Sequence, residues 1–136
     1  MDSSEISFAK RSQLLTTAKD AVKLAYAPYS KFRVGAAVLT KKGNIFSGCN
    51  VENSSYSLTT CAERVALFTA IAEEGQDMKI KALAVFNEHV SPCPPCGACR
   101  QVIFEFGPDA IIFFQGHDGL VEARITDLLP EGFPLP

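Results

Sequence analysis

The sequence predicts an α/β fold, a single domain over residues 1–136 whose mixed five-stranded sheet is sandwiched by helices. Three observations carry this expectation. A chain of 136 residues that is 47% hydrophobic is long enough to bury one sizeable core and short for two. Strand and helix patterns alternate along it, most clearly after residue 80, as layered α/β folds require. No repeat, low-complexity tract or linker-like composition divides it.

Apolar residues Leu14, Leu15, Ala18, Ala21, Val22 and Ala25 recur at helical spacing, predicting an amphipathic helix over 8–25 that Ala27-Pro28-Tyr29-Ser30 stops. Residues 33–40 read as a strand, Lys42-Gly43-Asn44 as a hairpin turn, and 45–52 as the returning strand. A second helix opens at Thr60-Cys61-Ala62-Glu63 and runs to Glu74, where Gly75 ends it. Residues 80–86 form a compact apolar strand. The proline-rich loop Ser91-Pro92-Cys93-Pro94-Pro95 leads into a third helix over 96–106, ended by Gly107-Pro108. Residues 110–114 and 120–124 supply the last two strands, and Thr126 starts a short helix before Pro130.

Thirteen basic against fifteen acidic residues leave a net charge of −2. A domain that grips a nucleic-acid backbone or an anionic membrane carries a basic surplus, so neither is the expected partner. No apolar run approaches the roughly 20 residues that span a bilayer. Met1–Glu5 lack the basic and apolar regions of a signal peptide, and the expected compartment is the cytoplasm.

Of the five cysteines, Cys93, Cys96 and Cys99 fall within seven residues; Cys49 and Cys61 stand apart. In a reducing compartment such clusters are metal ligands or catalytic thiols more often than disulfides. Cys96 and Cys99, at i and i+3 on a first helical turn, aim both sulfurs the same way, and Cys61 heads the other helix. Helix N-termini suit thiolates, because free N–H groups and the helix dipole favour negative charge there. Three ligands are one short of a structural zinc's four, and a catalytic zinc keeps its fourth position open. Cys93 is the rival fourth ligand, although Pro94-Pro95 hold it on a stiff extended segment outside the helix. Cys49 reads as a small core residue. Glu63, two residues after Cys61, either bends toward the metal's open position or closes a capping box with Thr60. Asn50 and Glu52 alternate with Val51, so as strand residues their side chains share a face; a polar strand end facing water is the bland alternative. His89 and His117 lack ligand-like spacing and read as loop residues.

Cys61-Ala62-Glu63 followed by Pro95-Cys96-Gly97-Ala98-Cys99 matches the ligand-x-Glu…Pro-Cys-x-x-Cys pattern of zinc deaminases. With Tyr29-Ser30-Lys31-Phe32-Arg33-Val34-Gly35-Ala36-Ala37, Asn50-Val51-Glu52-Asn53 and Arg100-Gln101, the chain resembles the small homotetrameric cytidine deaminases of pyrimidine salvage from about Tyr29 to Phe133. Pro92-Cys93-Pro94 departs from that pattern. The resemblance implies one Zn²⁺ per subunit on Cys61, Cys96 and Cys99, with Glu63 moving protons during hydrolysis of cytidine and 2′-deoxycytidine to uridine, 2′-deoxyuridine and ammonia. It further implies Arg64 offsetting the surplus charge of three thiolates, and Asn50 and Glu52 on the ribose. Phe32 would lie beside the base, with backbone around Ala62 and Cys96 on its polar edge and Phe133 closing the pocket, often that of a neighbouring subunit. Sites near the subunit interfaces of a homotetramer follow. A carboxylate at Glu52 without a basic cluster nearby favours a nucleoside over a nucleotide. The rival expectations are a deaminase of another aminopyrimidine nucleoside, such as an antibiotic, and a structural four-cysteine zinc module without chemistry.

Overall fold

The computed structural model describes residues 6–134, so the leader reading of Met1–Glu5 lies outside the described residues. Five strands, β1 (Val34–Thr40), β2 (Ile45–Cys49), β3 (Ile80–Asn87), β4 (Ile111–Gly116) and β5 (Gly119–Arg124), form one sheet in the order β2-β1-β3-β4-β5. β1 and β2 make the expected hairpin, β1 and β3 are antiparallel, β3 and β4 are parallel, and β4 and β5 are antiparallel. A parallel neighbour requires a crossover, here supplied by α3 (Gly97–Phe106). The mixed five-stranded sheet matches the expectation.

Helix α1 (Phe8–Ala21) covers one face; α2 (Ala62–Glu74), α3 and the short α4 (Ile125–Leu128) cover the other. β1 and β3 are buried on both faces, and their near-continuous apolar runs divide by alternation. Ala37, Leu39, Ala82 and Ala84 face Leu14 and Ala18 of α1. Ala36, Val38, Leu83 and Val85 face Ala66, Leu67 and Ile103.

Two glycines set how close the helices come. A Cβ at Gly35 would strike the backbone of Ala18 and Ala21 at the end of α1 and of Val22 just after it; one at Gly48 would strike that of Ala62 and Ala66 in α2. Ala62, Ala66 and Ala70, four residues apart and fully buried, present α2's smallest face to the sheet. Backbone contact at Gly48 thereby fixes the start of α2, where Cys61 and Glu63 lie.

Several boundaries differ from the sequence expectation for local reasons. α1 ends at Ala21 and continues as one 3-10 turn to Leu24. β2 stops at Cys49 rather than 52, because Val51 leaves β1 to bridge Tyr26 and Thr60. The Asn50 side chain then closes the strand end: its Oδ1 accepts from Val34 N at 2.8 Å, and its Nδ2 donates to the Phe32 carbonyl at 2.8 Å. Cys61 and Cys96 are N-caps of their helices rather than first-turn residues, each with extended backbone.

Candidate active site

The N-termini of α2 and α3 converge on one point, and each is capped by a cysteine. N-caps are normally Ser, Thr, Asp or Asn, whose oxygens accept from a free helical N–H. Cys61 makes no such bond, whereas Cys96 Sγ accepts from Cys99 N at 3.4 Å. Two thiols thus stand at the positive ends of two helices. Cys99, one turn into α3 and fully buried, completes the group.

The sulfurs of Cys61, Cys96 and Cys99 all lie within 4.8 Å of one another, with Cys61 and Cys96 at 3.9 Å. A tetrahedral zinc with Zn–S bonds of about 2.3 Å places its sulfurs about 3.8 Å apart, close to the Cys61–Cys96 separation and within reach of the third sulfur by small side-chain shifts. Three soft thiolate donors also suit zinc. Cys93 is outside the cluster: its backbone N donates to the Gln115 carbonyl at 2.9 Å, and its side chain packs on the core beside the cavity. Burial pushes its thiol's pKa up.

The electrostatics of the metal-free cluster are uneven. The Cys99 thiol as hydrogen-bond partner, with Arg64 beside it, lowers the Cys61 pKa to about 5. Cys99 is pushed up, first by that same bond and then by burial. Arg64, one turn along α2 from Cys61, donates from Nη2 to Cys61 Sγ at 3.3 Å. Its Nε is buried and unpartnered.

Glu63 is 5% exposed. Helix α2 begins at Ala62, so Glu63 sits one position too early to close a box with Thr60, and the capping alternative is corrected. Burial raises its pKa to about 7, and the negative charge of Cys61 adds to the effect. The carboxyl lines a cavity of about 320 Å³ together with Cys61, Ala62 and Cys96. That size falls in the ordinary range for small-molecule sites. Phe32, Asn50, Thr59 and Cys93 form further parts of its wall.

Glu52 lies elsewhere. With β2 ended, it does not share a strand face with Asn50, and it borders an adjoining depression with Tyr29, Ser30, Asn53 and Tyr56 that Thr59 joins to the cavity. Its Oε1 accepts from the backbone N of Tyr29 and Ser30 at 2.9 and 3.1 Å, and its Oε2 from the Ser30 hydroxyl. The Ser30 hydroxyl bond holds this carboxyl below the usual range. Phe133 does not reach its own chain's cavity: it is 65% exposed, its carbonyl accepting from Gln101 Nε2 at 3.0 Å. Ser30 and Gln101 escaped notice as individual residues although both lie in the motifs that carried the resemblance, and nothing in the sequence marked Thr59.

A family model of the cytidine and deoxycytidylate deaminase zinc-binding region matches residues 9–115. The chain belongs to this family. A cytidine deaminase of Sporosarcina psychrophila is 46% identical over 123 residues, 89% of either chain. Among solved structures, a cytidine deaminase from Burkholderia pseudomallei superposes with a TM-score of 0.82 at 46% identity, covering 90% of this chain and 98% of that one. The one from Mycobacterium tuberculosis gives 0.79 at 40% identity, covering 92% and 98%. The family's matched region is a zinc-binding one, and in this chain Cys61, Cys96 and Cys99 form a cluster that could hold a metal ion, with Glu63 lining the cavity beside it.

Proposed function

We propose that the chain catalyses zinc-dependent hydrolytic deamination of cytidine and 2′-deoxycytidine, giving uridine or 2′-deoxyuridine and ammonia. One observation carries this reading: a buried carboxyl faces the same cavity as a three-sulfur cluster. Cys61, Cys96 and Cys99 would hold the ion, one per subunit, and zinc so held supplies the Lewis acidity that makes water nucleophilic near pH 7. Glu63 accepts the proton of the attacking water, passes it to the ring nitrogen N3, and then protonates the departing exocyclic amine. The C4–O bond forms as the C4–N3 π bond opens; the proton left on the new hydroxyl then passes through Glu63 to the exocyclic amine, and the bond from C4 to that amine breaks as C4=O forms. Arg64 offsets the excess of three thiolates over a divalent ion.

The remaining residues orient the substrate. The Asn50 amide, fixed by Val34 and Phe32, keeps one N–H and one oxygen lone pair for a ribose hydroxyl. Glu52, pinned by Ser30, accepts from ribose at the adjoining depression and repels a phosphate, favouring nucleosides. Phe32 walls the base and Ala62 backbone meets its polar edge. Exposed Phe133, clear of its own cavity, supports a homotetramer in which a neighbour's tail closes each pocket. Reduced sulfur ligands suit a cytoplasmic compartment. Among the described residues no helix is long and apolar enough to cross a membrane.

The test is turnover beside metal content. Wild type should release ammonia from cytidine with one zinc per chain. Glu63→Gln should keep its zinc and lose at least ~10²-fold in turnover. Failure of the zinc-loaded wild type on both nucleosides defeats the proposal. A panel of other aminopyrimidine nucleosides separates the nearest rival.

A further inference from the structure

Among the described residues, only two non-glycine positions take a positive φ, Lys31 at 60° and Val90 at 54°. Left-handed backbone is uncommon for a lysine and an outlier for a β-branched valine. Such strain persists where surrounding contacts enforce it, and it concentrates at functional sites. The two positions are 59 residues apart in sequence, yet each adjoins one member of a single ring pair: Lys31 precedes Phe32, and Val90 follows His89. Those rings lie 5.8 Å apart between centroids at 31°, within the range for a favourable stacked contact.

Both segments are bound to each other and to the sheet. Arg33 N and Nε donate to Glu88 Oε2 at 3.1 and 3.2 Å, and Arg33 Nη2 to Glu88 Oε1 at 3.2 Å. Glu88 N donates in return to the Arg33 carbonyl at 3.2 Å. On the other side, the buried Asn87 side chain holds the turn after β3. Its Oδ1 accepts from His89 N at 2.9 Å and Ser91 N at 3.2 Å, and its Nδ2 donates to the Ser91 carbonyl at 2.9 Å. The backbone is therefore held on both sides of the pair, whereas His89 itself is exposed and its side chain makes no hydrogen bond among the described residues. Phe32 lines the cavity; His89 does not.

We propose that His89 is a positioning residue for substrate binding: the turn at 87–91 presents its ring as a backstop that holds Phe32 against the cavity. The inference rests on the deaminase reading above. His89 touches neither Glu63 nor the cysteine cluster, so it acts on affinity and leaves the chemical step alone. Loss of a stacked partner from an exposed pair changes the population of the productive Phe32 rotamer, and the expected effect is about three- to tenfold.

The test is steady-state kinetics with cytidine on zinc-loaded enzyme. His89→Ala should raise KM about three- to tenfold with kcat within about twofold of wild type, and His89→Phe should restore KM because a ring returns. His89 N keeps its bond to Asn87 in every such variant, so the turn is retained. In a Phe32→Leu background, His89→Ala should add almost nothing, since the ring it supports is gone. An unchanged KM in His89→Ala, failure of His89→Phe to restore it, or full additivity with Phe32→Leu overturns the inference while leaving the deaminase reading intact. A zinc-loaded wild type inactive on cytidine and 2′-deoxycytidine overturns both.

Discussion

Arg64 offers a quantitative test of the metal centre that does not depend on turnover. Its guanidinium donates to Cys61 Sγ at 3.3 Å, and that contact with the sulfur raises its own pKa. Three thiolates around a divalent ion would leave one surplus negative charge, which on the proposed reading the guanidinium would offset. A hydrogen bond to a charged group contributes about 1.5–3 kcal/mol, and 1.4 kcal/mol is a factor of ten in affinity. Arg64→Ala should therefore weaken zinc binding by about 10- to 100-fold, as is usual for groups that hydrogen-bond metal ligands. Competition with a chromophoric chelator at fixed pH and ionic strength reads the affinity directly. Arg64→Lys should recover only part of it, because an ammonium has the charge without the planar fork. Thermal melts with and without zinc supply the control: a packing role lowers Tm equally in both, whereas the electrostatic role narrows the difference that zinc makes. Wild-type zinc affinity in folded Arg64→Ala would refute the reasoning.

Cys93→Ser should retain one zinc per chain and turnover within a few-fold of wild type, measured by metal analysis and ammonia release; loss of the metal would restore the four-cysteine arrangement. Gly48→Ala forces a methyl into the backbone of Ala62 and Ala66 and should cost about 1–3 kcal/mol, a drop of several degrees in Tm by calorimetry. Because the displaced end of α2 carries Cys61 and Glu63, its activity should fall as well. Glu52→Gln should raise KM for cytidine about tenfold with little change in kcat, as expected on losing a charged hydrogen bond to substrate. Its pKa is lowered in the fold, so its contribution to stability is present above the ordinary carboxylate range and lost as pH falls through the lowered value. Acid titration of wild type should show that loss and Glu52→Gln should not.

Strand and helix identities were legible because periodicity reports which side of an element is buried. Strand order was not, since nothing in β1 says that β2 and β3 flank it. The reading of 45–52 as one strand overran because alternation cannot see that the Asn50 amide replaces a ladder partner for Val34. The three-cysteine cluster was legible from residue type and spacing, helped by helix starts at Cys61 and Cys96. The role of Glu63 was ambiguous until the helix start was known to one residue, because a single step separates a capping carboxylate from a buried one. Glu52's separation from Asn50 follows from where β2 stops, a tertiary fact. The Phe32–His89 pairing joins segments with no common local pattern, so only the folded chain brings it to view.

Cysteine at both N-caps has a consequence for how the protein is prepared and stored. Where a hydroxyl or carboxylate would finish α2 unaided, the Cys61 thiol leaves its amide hydrogens without an internal acceptor. A metal held by the cysteines would instead tie the start of α2, through Cys61, to that of α3, through Cys96 and Cys99, and resistance to heat would become a function of trace-metal supply. Cultures grown on chelated medium should yield batches that melt earlier, and batch-to-batch scatter in melting temperature should track metal stoichiometry rather than purity.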